Sequence, residues 1–206
     1  MECGEMLDLS LNEVEGCAMK AARGAGLSWG QAEDLGRAAR WLAREGCDWA
    51  GELLLIIESP ELRDPERCGP LAGQTLADRL PVLAAGDGIL RTGPLSFPHW
   101  ILPPVALAAS ASGQRMHGTL GEIAFTCGAG LPPAYSASLA GVGGAPRPVW
   151  LGVGAAQTPL TYAGAALSRS AVSAQTLALL EHYAYRTYVP NSEKSRLRGA
   201  GAPGRP

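Results

Sequence analysis

The stretch LSLNEVEGCAMKAARGAGLSWGQAEDLGRAARWL, Leu9–Leu42, carries the clearest structural signals of the chain. Ser10 is followed three residues later by Glu13, and Ser28 is followed at the same spacing by Gln31. In such a capping box the serine and the acid or amide side chain bind free backbone N–H groups at the start of a helix. The stretch therefore predicts two helices with marked beginnings.

Apolar residues recur on one face of each of these two helices, as expected for helices that pack on a core. They are Leu11, Val14, Ala18 and Ala21 in the first helix and Ala32, Leu35, Ala39 and Leu42 in the second. A third helix is predicted from Trp49 to Glu58, with Asp48 as its cap and Pro60 beyond its end. We expect Trp41 to be at least partly buried on the second helix. Residues 1–58 are thus predicted to form a helical unit of about three helices.

A composition change follows this unit. Residues 59–70 read SPELRDPERCGP, whose three prolines and five charges predict a solvated connector. Residues 71–206 then form the predicted body, with a short helix at Leu71–Leu80 and another near Ser173–Tyr185. Between these helices lie short apolar stretches broken by Gly and Pro, which are typical of antiparallel strands. These stretches are ILRTGPLSFPHWILPPVALAAS, HGTLGEIAFTCG, YSASLAGVG and PVWLGVG.

The pattern as a whole predicts an α+β fold, in which the N-terminal helical unit precedes a mostly antiparallel sheet and a C-terminal helix. Prolines at 94, 98, 103 and 104 cannot donate to a strand ladder, so their segment is expected on a sheet edge or in a loop.

Composition excludes several classes of function. The net charge of -2 gives no general attraction to nucleic acid. The longest apolar run, Leu53–Ile57, is far shorter than the ~20 residues that span a bilayer, and the acidic start does not resemble an export signal. We therefore expect no membrane association and a cytoplasmic location, where the five cysteines stay reduced.

Metal and nucleophile signals are weak. His99, His117 and His182 have no neighbour at metal-ligand spacing, so no metal and no cofactor are predicted. The glycines at 141–144 and 152–154 fit neither phosphate-loop pattern and indicate turns and strand ends. Cys127 is expected to be a buried structural cysteine.

The C-terminal stretch from Arg186 to Pro206 carries five basic residues against one acid, Glu193, and we call it the basic tail. Guanidinium groups clamp carboxylates or phosphates through paired hydrogen bonds, and serine hydroxyls can add further donors. The candidate site has Arg196 as the clamp, with Ser192, Ser195, Arg198 and Tyr188 around it. The alternative is a basic terminus that simply extends into solvent.

The chain resembles a bacterial family catalogued as a domain of unknown function, number 3726. The likeness lies in Leu9–Leu42 and in TYVPNSEKSRLRGAGA, Thr187–Ala202. The resemblance implies that the closing stretch is a recurring feature of such proteins, and it supplies no activity or catalytic residue.

Two functional hypotheses remain. In the first, the protein binds a small anionic metabolite as an enzyme or as an accessory subunit of one. In the second, it is a non-catalytic interaction module that docks a protein partner through its helical unit and basic tail. A pocket closed by Arg196 favours the first, and an apolar patch around Trp29, Trp41 or Trp49 favours the second. Whether a reaction occurs and which oligomer forms are left open.

Overall fold

The computed structural model describes residues 5–85, 88–154 and 160–188. Within these ranges the helices are α1 (Leu11–Gly24), α2 (Trp29–Arg44), α3 (Trp49–Glu58), α4 (Gly69–Ala85), α5 (Leu102–Ala111) and α6 (Ala174–Tyr185). The strands are β1 (Met6–Ser10), β2 (Ile89–Leu95), β3 (Arg115–Leu120), β4 (Ile123–Gly128), β5 (Leu131–Tyr135), β6 (Arg147–Val153) and β7 (Arg169–Ser173).

Both predicted capping boxes are present. The backbone N–H of Glu13 donates to Ser10 Oγ at 3.3 Å, and the N–H of Ser10 donates to Glu13 Oε2 at 2.7 Å. Ser28 and Gln31 make the equivalent pair of bonds at the start of α2. Asp48 caps α3, as predicted, by accepting from the N–H of Gly51 at 3.1 Å. Local hydrogen bonding therefore sets where the first three helices begin.

The predicted helix faces form a large part of the core. In α2 all four predicted residues are buried, and in α1 only Leu11 remains partly exposed. Trp41 is half-buried, as expected, and meets the ring of Tyr135 edge-on with ring centroids 6.4 Å apart. Trp49 is buried, and its indole N–H donates to Ser170 Oγ at 3.0 Å.

The body contains a five-stranded antiparallel sheet in the order β2-β6-β3-β4-β5. Strand β2 contains Pro94 and lies at the edge of this sheet, as the proline rule predicts. A second, two-stranded sheet pairs β1 with β7 in antiparallel register, from Met6 opposite Ser173 to Ser10 opposite Arg169. The α+β prediction, with a mostly antiparallel sheet, is confirmed.

The structure corrects three assignments. Residues 102–111 form helix α5, although their apolar run was predicted to be strand-like; Pro103 and Pro104 occupy its first turn, where a missing N–H costs nothing. The stretch 136–141 forms bends and a 3-10 turn (Leu139–Gly141) after β5, not a strand. Helix α4 extends past the predicted Leu71–Leu80 and continues through Pro81.

Strand β1 was not predicted. The connector 59–70 includes a 3-10 turn at Pro60–Arg63, and its end pairs with the segment after β2, where Gly69 N–H donates to the Ser96 carbonyl at 2.9 Å. The division into a unit at 1–58 and a body at 71–206 stays a prediction.

None of the helices in the described part of the chain is long and apolar enough to cross a membrane.

Candidate functional site

The predicted anion site falls mostly outside the described residues. Arg196, Arg198, Ser192 and Ser195 all lie in 189–206, which the structure does not describe. Tyr188 is described; it is exposed and follows the end of α6. Of the five residues predicted for the site, Tyr188 is therefore the one whose surroundings the structure describes.

Tyr188 lines a groove of about 680 Å³ between α1 and α6, which we call the α1–α6 groove. Helix α1 contributes one wall, with β1 at its end, and α6 together with the turn after it contributes the other. The lining residues are Leu9, Asn12, Glu13, Gly16, Cys17 and Lys20 on the first wall and Leu177, Glu181, Ala184, Tyr185 and Tyr188 on the second. Its volume is in the range typical of small-molecule sites.

Two glycines of α1 shape this groove. A Cβ atom on Gly24 would lie only 1.8 Å from the carbonyl oxygen of Tyr183, so the lack of a side chain lets the two helices approach closely. A Cβ atom on Gly16 would meet nothing within 4 Å. Gly24 therefore brings the helices together at one end, while Gly16 leaves the groove open.

Three charged side chains line the groove in the described part of the chain, two of them negative and one positive. Lys20 Nζ donates to the Tyr188 hydroxyl at 3.4 Å and lies 5.9 Å from the centroid of the same ring. Glu13 is held by the capping box, and its hydrogen bonds with Ser10 lower the pKa of its carboxyl. Within the described part of the chain, Glu181 has no ion-pair or hydrogen-bond partner. The described lining thus carries two carboxylates and one ammonium.

Cys17 is half-buried in the same groove. Burial is the main cause that raises the pKa of its thiol, to about 11; the charge of Glu181 adds to this rise and Lys20 opposes it. The sulfur is therefore a neutral thiol at neutral pH, not the thiolate that a nucleophile requires. Glu181 and Lys20 both lie close enough to Cys17 to change the pKa of its thiol.

A second groove of about 630 Å³ lies among α2, α4 and α5. Its lining includes Trp41, Leu107 and Gly30, with Asp34, Arg37 and Asp78 among the charged residues. Leu107 is 59% exposed. Of the three tryptophans considered for a partner patch, Trp29 is exposed beneath the Arg23 guanidinium and Trp49 is buried, so Trp41 alone lines this groove.

The interior holds further polar groups. Glu52 Oε2 lies 2.7 Å from His99 Nε2 and accepts the Trp100 indole N–H at 2.9 Å. The buried Glu45 Oε2 and Tyr135 hydroxyl have no hydrogen-bond partner among the residues that the structure describes, and burial raises the pKa of both groups. Cys127 is buried as predicted, and burial raises its pKa to about 12. Among the described residues no cluster of three or more potential ligands could hold a metal ion.

Residues 9–61 match the model of a family described as "Protein of unknown function (DUF3726)". The match confirms the family resemblance inferred from Leu9–Leu42, and it spans α1, α2 and α3; it does not include Thr187–Ala202, the second stretch of the inferred likeness. No curated protein and no solved structure matches the chain. The wall of the α1–α6 groove that α1 provides lies within the matched segment, whereas α6 lies beyond it.

Sequence reasoning missed most of this groove. Tyr188 was included, but Gly16, Cys17, Lys20 and Glu181 were not. One signal was available: Asn12, Gly16 and Lys20 recur every four residues on α1, on a face other than its apolar one. A glycine in the middle of a well-capped helix costs stability, which is a further reason to examine that face.

Proposed function

We propose that the protein binds a small anionic metabolite in the α1–α6 groove, as an enzyme or as an accessory subunit of one. The observation that carries this proposal is the position of Tyr188. It lines a metabolite-sized groove beside Lys20, and four of the five basic residues of the basic tail follow it in the sequence. A cytoplasmic location suits such a role.

Charge explains why the tail belongs to the proposed site. The described lining has two carboxylates against one ammonium, which does not attract an anion by itself. The basic tail has five cationic residues against one acid. In the proposal, Arg196 clamps the anionic group with two parallel hydrogen bonds, and Ser192, Ser195 and Arg198 support it. Lys20 contributes from α1.

The first experiment is a thermal-shift screen of purified protein against anionic metabolites. A ligand that binds only the folded state raises the melting temperature. Arg196→Ala should abolish that shift while the melting temperature without ligand stays nearly unchanged, because in the proposal the partner of Arg196 is the ligand and not another side chain of the protein. A shift that survives Arg196→Ala would count against the clamp.

A matched pair of variants locates the binding site. Gly16 lines the α1–α6 groove and Gly30 lines the α2–α4–α5 groove, and a Cβ on either residue meets nothing within 4 Å. Gly16→Phe should fill the first groove and remove ligand binding, while Gly30→Phe should leave it intact. The opposite result would place the ligand in the second groove.

A competing proposal is docking of a protein partner. It is supported by Trp41 and the exposed Leu107, which line one groove and offer apolar side chains to a partner. In that case Gly30→Phe should weaken partner binding and Gly16→Phe should not. Nucleic acid is not a proposed partner.

A further inference from the structure

The charges in the α1–α6 groove restrict the kind of ligand that it can hold. The α1 wall carries Lys20 and Glu13, and the α6 wall carries Glu181. The charges of Lys20 and Glu181 both act on the thiol of Cys17, which lies in the same groove. An anionic ligand without a positive group would meet Lys20 but would also lie close to the Glu181 carboxylate.

The two charges are not neutralised by each other. Among the described residues Lys20 is bound only to Tyr188, which is uncharged, and Glu181 has no ion-pair or hydrogen-bond partner. Glu13 differs, because its carboxylate already accepts the backbone N–H of Ser10. Glu181 is therefore the lining carboxylate that is free to bind a ligand cation.

The remaining lining is apolar or aromatic. Leu9, Leu177 and Ala184 contribute aliphatic surface, and Tyr185 adds a ring. A ligand that fits this groove has a carboxylate, an ammonium group and a short apolar side chain.

On the basis of the proposed function, we propose that the ligand is an amino acid with an apolar side chain or a close derivative of one. Lys20 binds its carboxylate, and Glu181 binds its ammonium group. The anionic group of the ligand is thus part of a zwitterion. This removes the conflict between an anionic ligand and a lining with more carboxylates than ammonium groups.

The test compares matched ligands by calorimetry on the full chain. The probes are alanine, valine, norvaline and leucine, each with the carboxylic acid that lacks only the amino group; pentanoate is the partner of norvaline. Glu181→Gln should weaken binding of the best amino acid about tenfold, which corresponds to about 1.4 kcal/mol, because the ammonium group then bonds to a neutral amide oxygen and loses its attraction to the carboxylate charge. The same variant should leave the deaminated partner unaffected or slightly tighter.

Lys20→Met should weaken both members of each pair, because both contain the carboxylate. Glu33→Gln is the control, since Glu33 is an exposed acid that pairs with Arg37 on α2, outside this groove. Deaminated acids that bind as tightly as the amino acids, with no effect of Glu181→Gln, would overturn the zwitterion while leaving the anion site in place. A third outcome is that no amino acid binds, while an anionic metabolite binds and Gly16→Phe abolishes its binding. In that case the amino-acid inference fails and the proposed anion site in the groove stands. If no anion binds at all, the proposed function fails with it.

Discussion

The carboxylate of Glu52 is predicted to be one of the main sources of stability in this fold. It joins α3 to the 3-10 turn Pro98–Ile101 of the body through a single oxygen, Oε2. The side chain of Glu52 is 12% exposed and that of His99 is fully buried, as is Trp100. Because a carboxylate only accepts, the histidine Nε2 and the indole Nε1 are assigned as the two donors.

Glu52→Ala leaves both donors buried without an acceptor. Each such group costs about 1–3 kcal/mol, so the variant should lose about 4 kcal/mol of unfolding free energy. Glu52→Gln keeps one acceptor oxygen and should lose less, about 1–2 kcal/mol.

Urea denaturation followed by circular dichroism measures these differences, provided that the slope of the transition stays the same. Glu33→Ala is the surface control and should change the unfolding free energy by no more than about 0.5 kcal/mol. Trp100→Phe removes one of the two donors. Because the two variants disrupt the same hydrogen bond, the double variant should lose less unfolding free energy than the sum of the losses of Trp100→Phe and Glu52→Ala. A Glu52→Ala protein as stable as the parent would refute the assigned hydrogen bonds.

Packing and burial give four further predictions. Gly24→Ala should destabilise the protein by about 1–3 kcal/mol in chemical denaturation, because its Cβ would collide with the Tyr183 carbonyl; unchanged stability would mean that α1 and α6 are not in close contact. Trp41→Ala should cost about 2 kcal/mol in the same assay, less than for a fully buried tryptophan, because Trp41 is half-buried against Tyr135; no cost would contradict this contact. In native protein Cys17 should react slowly with an alkylating reagent at pH 8, since burial raises the pKa of its thiol from 9.0 to about 11, whereas denatured protein should label at all five cysteines. The free energy of unfolding should also fall above pH 9, because the unfolded chain loses its thiol protons at a lower pH than the folded chain does. The prediction of reduced cysteines is a separate one, and mass spectrometry that finds a disulfide in most molecules would refute it.

Local signals in the sequence predicted the local structure well. The starts of α1 and α2 could be read from Ser10 and Ser28 because each cap and its partner are three residues apart, and their hydrogen bonds need nothing else from the fold. The buried helix faces followed from the period of the α-helix in the same way. The edge position of β2 followed from Pro94, which has no N–H to donate.

Helix α5 shows where such signals are ambiguous. Its run ILPPVALAAS has the short apolar length and the prolines of an edge segment, yet the same prolines are also suited to the first turn of a helix. The choice between the two depends on what the apolar side chains pack against. Ile101, Leu102 and Val105 are buried in the core, and that environment is not encoded within ten residues.

The sequence by itself determined the helix starts, the apolar faces and the basic character of the tail, because each depends on residues that are neighbours in the chain. Tertiary structure alone decided the pairing of β1 with β7 and the groove that Lys20 and Glu181 share. The members of each pair are more than 150 positions apart in the chain, and the lack of a side chain at Gly24 lets α6 pack closely against α1. A contact of this kind depends on how the whole core closes, which no local pattern specifies.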